Sequence, residues 1–491
     1  MARRSGQGTF NALVVVMLLS LFILYRVALP GRLEPYIVTL PDLRRHLSFQ
    51  LPSHLSSLQP VLDTSRLETG DSHGRIRSAR FRQLAEASAK INQLGLHKEI
   101  TAFMFSCVSG IPPKAEVFDS FVSLKYGLMD VRIANEQWPM TYNPTIFALP
   151  PSSHFPFLIV ARVRGEGFFQ TSLICEGKYI DETKDNSYGF PITTRLIGCA
   201  TSAKELAVPQ TPARDCQKRD FMSDVPGFHD PRIFWSNEGA PLMIINQQSR
   251  YGCFGLWVID LRSVYPSLRY RVNRALLNEY PTVMELTRLE GRGNVEKNYL
   301  LFYDSVTSEP YVQYDLAHNK RHFAKLIGNG LTTSNLTSPL ELSCIHDDAT
   351  WHQATNAIKI VLCNYGECTP GPENTVYMSF LHKKSGVKES LKVQYRRYVA
   401  VWKTTAPFEL VGFGNKHIRF DNEDEWEQKF DVEGKFLYTV SINWETNQNR
   451  YEGYLNENVL VSLGVGDHGN AAVVLPARDL LTCMDSCSAS A

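Results

Sequence analysis

The chain lacks an excess of charge of either sign, with 51 Lys and Arg residues against 50 Asp and Glu residues. Proteins that bind a polyanion show clustered basic side chains and a net positive charge on the binding domain. The balanced composition therefore predicts that nucleic acid is not a partner of this protein.

Patterns that bind metal are also missing. The 10 cysteines contain no pair of Cys-x-x-Cys motifs, which argues against a structural zinc site. The sequence has no Asp-x-Asp motif, and the adjacent Asp347 and Asp348 would point to opposite faces of a strand. We therefore predict no metal and no other cofactor. Cys363 and Cys368 are spaced for a local disulfide, and the sequence leaves the other pairings open.

One long apolar run is present, at residues 10–29, with two arginines before it. About 20 apolar residues in a helix span ~30 Å of hydrocarbon. Basic residues before the span predict a cytosolic tail at 1–9, a transmembrane signal anchor at 10–29 and a lumenal body. We expect a single-pass type II protein of the Golgi or endoplasmic reticulum membrane; a cleaved signal peptide is the alternative.

Two further regions follow the predicted anchor. Residues 30–100 lack strand alternation and include helical spacing at 75–96, which predicts a partly helical stem or neck. Residues 101–485 contain short β-type apolar runs between turn residues, and we assign them to the catalytic domain. Asn335-Leu336-Thr337 is a glycosylation acceptor sequon in a polar loop, so we expect a glycoprotein.

The β-type runs fall into five groups without a strong helix between them. They recur at roughly 50–70 residues, the spacing expected when each repeat is one small sheet of a propeller. The sequence therefore predicts an all-β fold, a five-bladed β-propeller; a β-sandwich is the alternative. The groups span 155–175, 231–261, 296–314, 357–402 and 436–475.

Polar clusters lie at the starts of these groups, or between two strands in the case of the fifth. Loops at equivalent positions of a propeller face one central funnel, so we expect a single axial pocket built from every group. The clusters are Asn143-Pro144, His229-Asp230-Pro231-Arg232, Glu296-Lys297-Asn298, residues 346–356 and Gly464-Val465-Gly466-Asp467.

The second cluster carries the clearest chemical signal. Pro231 holds Asp230 extended, and Asp230 and Arg232 lie two residues apart, so both side chains project to the same side of a strand. A carboxylate beside a guanidinium suits proton transfer to, or ion pairing with, a polyhydroxylated anionic substrate. The alternative is a surface Asp-Pro turn beside a solvated arginine.

These motifs resemble those of the five-bladed β-mannoside phosphorylases and the related β-1,2-mannosyltransferases. The similarity rests on Asn-Pro at 143–144, Asp-Pro-Arg at 230–232 and His-x-x-Thr-Asn at 352–356, and it covers roughly residues 140–480. With its predicted anchor, the chain resembles fungal membrane-anchored β-mannosyltransferases in layout. His229 stands where the phosphorylases usually carry Glu.

The resemblance implies a role for each candidate residue. Asp230 would transfer the proton. Arg232, Lys297, Asn298, His352 and Asn356 would bind the phosphate of the donor, and Asn143, Arg162, His229 and Asp467 would contact the substrate. The structural alternatives are that His352 caps a loop, that Lys297 is a solvated charge and that Asp467 supports a turn.

The predicted function is an inverting glycosyltransferase of the secretory pathway. It would transfer mannose in β linkage from GDP-mannose or a mannose phosphate to a glycan acceptor, and one carboxylate would activate the acceptor hydroxyl. Two alternatives stay open: a membrane-anchored glycoside hydrolase or phosphorylase, and a non-enzymatic glycan-binding propeller.

Overall fold

The computed structural model describes Met104 and residues 121–487 with several gaps. The residues left out within that range are 167–168, 186–189, 214, 217–221, 273–277, 289, 318–319, 335, 338–350, 386–392 and 430–435. The predicted tail, anchor and stem therefore lie outside the described residues, as do the sequon asparagine Asn335 and the pair Asp347 and Asp348.

The predicted membrane location requires a correction. None of the helices in the described residues is long and apolar enough to cross a membrane. The longest of them, Glu423–Lys429, has 7 residues, whereas a crossing needs about 20. The expectation of a single-pass type II protein of the Golgi or endoplasmic reticulum membrane is contradicted and is not retained.

The described chain is built mostly from β-strands, and consecutive strands form antiparallel meanders. The first two strands are β1 (Phe121–Gly127) and β2 (Met129–Arg132). Meander I consists of β3 (Tyr142–Ala148), β4 (Phe157–Arg164), β5 (Gln170–Asp185) and β6 (Pro191–Cys199), with β7 (Lys204–Glu205) beside β5. Meander II consists of β8 (His229–Trp235), β9 (Pro241–Gln248), β10 (Phe254–Asp260) and β11 (Met284–Leu286). Helix α1 (Leu261–Val264) and a 3-10 helix (Pro266–Tyr270) connect β10 to β11.

Three more meanders complete the described fold. Meander III consists of β12 (Leu300–Tyr303), β13 (Pro310–Ala317), β14 (Lys320–Gly328), β15 (Leu331–Thr332) and β16 (Leu336–Thr337). Meander IV consists of β17 (Trp351–Gln353), β18 (Ile358–Val361), β19 (Thr375–Ser385), β20 (Gln394–Lys403), β21 (Leu410–Gly414) and β22 (His417–Asp421). Helix α2 (Glu423–Lys429) follows. Meander V consists of β23 (Leu437–Trp444), β25 (Asn458–Val465) and β26 (Gly469–Pro476), and β24 (Glu452–Tyr454) pairs with β18. The last elements are α3 (Ala477–Leu480) and β27 (Met484–Ser486).

The N-terminal strands complete the last two meanders. Strand β2 pairs antiparallel with β26, and its end runs parallel to β6 of meander I. Strand β1 runs parallel to β22 at the outside of meander IV. Residues from the two ends of the described chain therefore share the same sheets.

A hydrophobic cluster lies between each pair of neighbouring meanders, and one of these clusters joins meander V to meander I. The five meanders therefore form a closed, propeller-like ring, which confirms the mostly β, propeller-like prediction and excludes the β-sandwich. Representative pairs within the clusters are Phe147 with Trp257, Leu242 with Val312, Phe302 with Trp402, Met378 with Leu463, and Ile159 with Leu460.

Strand β4 shows why the apolar runs of this sequence are continuous. Leu158 and Val160 belong to the cluster between meanders I and II, whereas Ile159 and Ala161 belong to the cluster between meanders V and I. Successive side chains of a strand point to opposite faces, and both faces of this strand are buried. An unbroken apolar run is the pattern expected for a strand covered on both faces.

The centre of the ring is closed by hydrogen bonds between the first strands of the meanders. Asn443 of β23 donates to the carbonyls of Ile146 at 2.9 Å and Ile233 at 3.3 Å. Asn356 donates to the carbonyl of Ile442 at 2.7 Å and accepts from its N–H at 3.2 Å. These side chains satisfy buried backbone groups and fix the inner strands relative to one another.

Disulfides link strands and loops of this ring. The predicted Cys363–Cys368 bridge is confirmed, and the structure adds Cys175–Cys199 and Cys216–Cys253. Cys483 and Cys487 are also disulfide-bonded, so none of the described cysteines is a free thiol.

Candidate active site

Four residues with left-handed backbone conformation lie at one end of the ring. Asn143 (φ 51°), Asp230 (φ 50°), Asn298 (φ 62°) and Asp467 (φ 56°) belong to meanders I, II, III and V or precede their first strands. Asn and Asp tolerate this conformation better than other residues with a Cβ. Backbone held in a sparsely populated conformation is concentrated at functional sites, so the four positions mark this end of the ring.

Interruptions of strand pairing accompany two of these residues. The register between β3 and β4 shifts between Tyr142 and Thr145, and that between β8 and β9 shifts between His229 and Arg232. A bulge re-aims a side chain that regular pairing would direct elsewhere. The Asx-Pro pairs of the sequence coincide with these bulges, and they direct Asn143 and Asp230 to the centre.

The residues at this end line one cavity of about 210 Å³. Eight of the ten residues predicted from the sequence line it together, although their roles stay predictions. The lining residues are Asn143, Arg162, Asp230, Arg232, Lys297, Asn298, His352, Lys384, Tyr395, Phe436, Tyr438 and Asp467.

Asp230 is the cavity carboxylate with the strongest cationic surroundings. It pairs with the buried Arg162, which also donates to Gln170, and its own side chain keeps 29% of its surface exposed. Burial alone would raise the pKa of Asp230, but the charges of Arg162, Arg232 and other neighbours hold the pKa below its ordinary value. Asp230 is therefore ionised at neutral pH and still reachable from the cavity.

Arg232 is fixed at the base of the cavity. Its Nε donates to the carbonyls of Ala354 at 2.8 Å and Val440 at 3.2 Å, and its Nη2 donates to Oδ1 of Asn298 at 3.2 Å. These bonds tie meander II to meanders III, IV and V. A guanidinium held this rigidly keeps its geometry when a ligand enters.

Asp467 is a second carboxylate of the cavity, and it is held by Asn143. Nδ2 of Asn143 donates to Oδ1 of Asp467 at 2.9 Å. The contact depends on Gly464, where a Cβ would lie only 1.6 Å from Oδ1 of Asn143. The glycine-rich segment before Asp467 therefore allows the two chains to approach.

Two lysines also line the cavity. Lys297 and Lys384 make no salt bridge with any described residue, and the Lys384 ammonium lies 5.8 Å from the centre of the Tyr395 ring. Burial lowers the pKa of His352, and the charges of Lys384 and Lys297 lower it further. Two ammonium groups without a protein carboxylate favour an anionic ligand.

Four lining residues were missed by sequence reasoning: Lys384, Tyr395, Phe436 and Tyr438. Lys384 and Tyr395 face each other across the β19–β20 hairpin. Tyr438 lies at the start of β23, the inner strand of meander V, as Asp230 does in β8. Comparing the starts of the inner strands would have found Tyr438, whereas Lys384 and Tyr395 carry no such signal.

Two predicted residues do not line the cavity. His229 packs edge-on against Phe254, with ring centres 5.4 Å apart, and burial lowers its pKa to about 4. Asn356 binds the backbone of Ile442, because the strand is broken between β17 and β18. The structure shows both residues in contact with other parts of the protein, and their predicted ligand contacts stay predictions.

Comparisons with known proteins were made for sequence and for structure. No family model and no curated protein matches the chain. It is similar to the β-1,2-mannobiose phosphorylase of Listeria innocua, with 10% identity and a TM-score of 0.35 over 72% of this chain and 98% of that chain. It is also similar to a protein of the GH130 family of mannoside phosphorylases, which contains hydrolases of β-1,2-mannosidic linkages in Candida mannan (13%, TM-score 0.37, 71% and 88%). A third similar structure is the α-L-arabinofuranosidase of Podospora anserina (10%, TM-score 0.36, 72% and 98%).

TM-scores this low do not assign an activity to the chain. The β-mannoside phosphorylase group that the motifs resemble is among these structures, whereas the comparisons show no fungal membrane-anchored mannosyltransferase. Within the described residues, no group of three or more His, Cys, Asp or Glu side chains is placed to hold a metal ion.

Proposed function

We propose that the protein is a five-bladed propeller enzyme that moves a mannosyl residue between a β-linked glycan and phosphate. In one direction it is an inverting glycoside phosphorylase, and in the other it transfers mannose from mannose 1-phosphate to an acceptor. The observation that carries the proposal is an ionised, accessible Asp230 that shares one cavity with Lys297 and Lys384, whose ammonium groups pair with no carboxylate among the described residues.

In the transfer direction, Asp230 accepts the proton of the acceptor hydroxyl. The acceptor oxygen forms its bond to the anomeric carbon as the bond from that carbon to the phosphate oxygen breaks. Lys297, Lys384 and Arg232 stabilise the charge on the departing phosphate. A single displacement of this kind inverts the anomeric configuration and requires one carboxylate.

The lowered pKa of Asp230 keeps this carboxylate in the form that the transfer direction requires. A base must be unprotonated before reaction, and the surrounding cations keep this carboxylate ionised. In the reverse direction Asp230 must first take up a proton. The negative charge of bound phosphate would promote this by offsetting the cations.

The cavity also favours the smaller of the two predicted donors. Pockets for drug-sized ligands measure about 300–1,000 Å³, and this cavity measures about 210 Å³. Mannose 1-phosphate lacks the nucleoside and second phosphate of GDP-mannose. We therefore favour a sugar phosphate over a nucleotide sugar.

Hydrolysis is the second candidate, and Asp467 is the observation that favours it. An inverting hydrolase uses two carboxyl groups, one as acid and one to activate water. Asp467 shares the cavity with Asp230 and is held by Asn143. In this case Asp467 would activate water, and phosphate would not be consumed.

The test is a synthesis assay with the full-length protein. Mannose 1-phosphate and β-1,2-mannobiose are supplied together, and the release of inorganic phosphate is followed. The proposal expects phosphate release with extension of the disaccharide, and a loss of at least about a hundredfold in Asp230→Asn. Unchanged turnover in Asp230→Asn would remove Asp230 from the mechanism, and binding of the glycan without turnover would indicate the non-enzymatic alternative.

A further inference from the structure

A polar groove adjoins the central cavity, between the outer part of meander IV and the start of β23. It has a volume of about 100 Å³, and its walls include Gln394, Arg396, His417 and Arg419. The proton-transfer mechanism above does not use any of these four residues. The groove therefore provides binding surface beside the reacting centre.

Two aromatic side chains separate the groove from the cavity. Tyr395 and Phe436 line both spaces, and their rings meet edge to face with centres 5.3 Å apart. Tyr395 also packs against Tyr438, with ring centres 5.0 Å apart. A ligand that crosses from the cavity to the groove must pass over these rings, which both offer an apolar face, and Tyr395 adds a hydroxyl group.

The charges of the groove differ from those of the cavity. Arg397 is paired with Glu423, and Arg419 is paired with Glu423 at 3.5 Å and with Asp424 at 2.6 Å. The paired Arg and carboxylate groups can still donate and accept hydrogen bonds, but because their charges cancel they attract a free ion only weakly. This lining suits a neutral group with many hydroxyls better than a phosphate.

We propose that the groove is a subsite for the glycan residue beyond the one that contacts Asp230. The glycan crosses the rings of Tyr395 and Phe436, and its next sugar hydrogen-bonds with Gln394 and Arg396. This inference rests on the proposed function, because it names the glycan as the ligand of the central cavity. It predicts an enzyme that prefers chains of three or more sugars to a disaccharide.

The test compares β-1,2-mannobiose with β-1,2-mannotriose as substrates in the presence of inorganic phosphate. Gln394→Trp fills the groove, Arg396→Ala removes donors from it, and Lys403→Ala at the far end of β20 is the control. We expect kcat/KM for the trisaccharide to fall roughly tenfold in both groove variants, as the loss of a hydrogen-bonded subsite implies. The rate with the disaccharide and the control should stay unchanged.

Equal effects on both substrates, or no effect on either, would overturn the subsite. If the wild-type protein consumes neither substrate, the proposed function fails and the subsite is tested by binding. Calorimetric titration with mannotriose then decides: weaker binding by Arg396→Ala than by wild type and Lys403→Ala supports the subsite. Equal binding by all three, or no binding by wild type, contradicts it.

Discussion

Asn143 donates a hydrogen bond of 2.9 Å to Asp467, although 324 residues separate them in the sequence. The bond joins the first strand of meander I to the turn between β25 and β26 of meander V. The contact therefore joins meanders I and V and also positions the second carboxylate of the cavity. Asp467 is therefore the second carboxylate whose role in the reaction needs a direct test.

Asp467→Asn separates phosphorolysis from hydrolysis. If Asp230 is the only reacting carboxyl group, the variant should lose less than about tenfold of phosphate-dependent turnover, because the amide still bonds Asn143. If Asp467 activates water, a loss of about a hundredfold or more is expected. Initial rates with and without inorganic phosphate distinguish the two, and Asp230→Asn serves as the reference for loss of a reacting group.

Arg162→Met should move the acid limb of the pH profile upward. Asp230 has a lowered pKa and acts as an ionised base, so activity is present above that pKa and is lost as pH falls through it. An adjacent Arg lowers the pKa of an Asp by about 1–3 units, and removing it should shift the limb by a similar amount. The readout is kcat/KM against pH in the transfer direction.

Arg164→Met is the matched control for this shift. Arg164 lies two residues further along β4 and also stacks on Tyr142, with its guanidinium carbon 5.6 Å from the ring centre. It is solvent-exposed and is not part of the cavity lining. An equal shift in both variants would show that the effect does not come from the ion pair with Asp230.

Lys297→Met and Lys384→Met should weaken the binding of phosphate. Each removes an ammonium group that has no carboxylate partner in the described structure. A hydrogen bond to a charged group contributes about 1.5–3 kcal/mol, so KM for phosphate should rise roughly tenfold or more while KM for the glycan changes little. Lys359→Met is the control, because Lys359 binds Asn237 in a different cavity. A rise in the glycan KM alone would place the glycan, and not phosphate, beside these lysines.

Substitutions of Asn298 test whether the left-handed backbone conformation at this position is strained. Its φ is 62°, which favours Gly over residues with a Cβ. Asn298→Ala should therefore be less stable than Asn298→Gly by roughly 1 kcal/mol, as urea unfolding would measure. The same pair of changes at Asn356, which does not have a positive φ, should reverse the order. Equal stabilities at Asn298 would mean that its backbone conformation is not strained.

Many of the strands and of the cavity residues were predictable from the sequence because they depend on local patterns. Short apolar runs between turn residues predicted strands, and β4 is one of them, with both of its faces buried. Asp230 and Arg232 both line the cavity, but the predicted extended conformation of Asp230 is wrong, because its φ is 50° and the strand is bulged between His229 and Arg232.

The features of the fold and of the cavity that were not predicted depend on contacts between different strands, which no local pattern encodes. Strand β2 completes meander V through pairs such as Met129 with Ala472. Tyr395 reaches the cavity because the β19–β20 hairpin places it opposite Lys384. Asn356 turns into the ring because the inner strand of meander IV is interrupted. Each of these outcomes follows from long-range register.

The most direct test of the central claim is the fate of the mannosyl group when β-1,2-mannobiose is incubated with the wild-type protein and excess inorganic phosphate. We predict that mannose 1-phosphate accumulates with inverted configuration, in amounts equal to the mannose released from the other end, and that omitting phosphate stops the reaction. Free mannose as the sole product, formed at the same rate without phosphate, would contradict the proposal and establish hydrolysis.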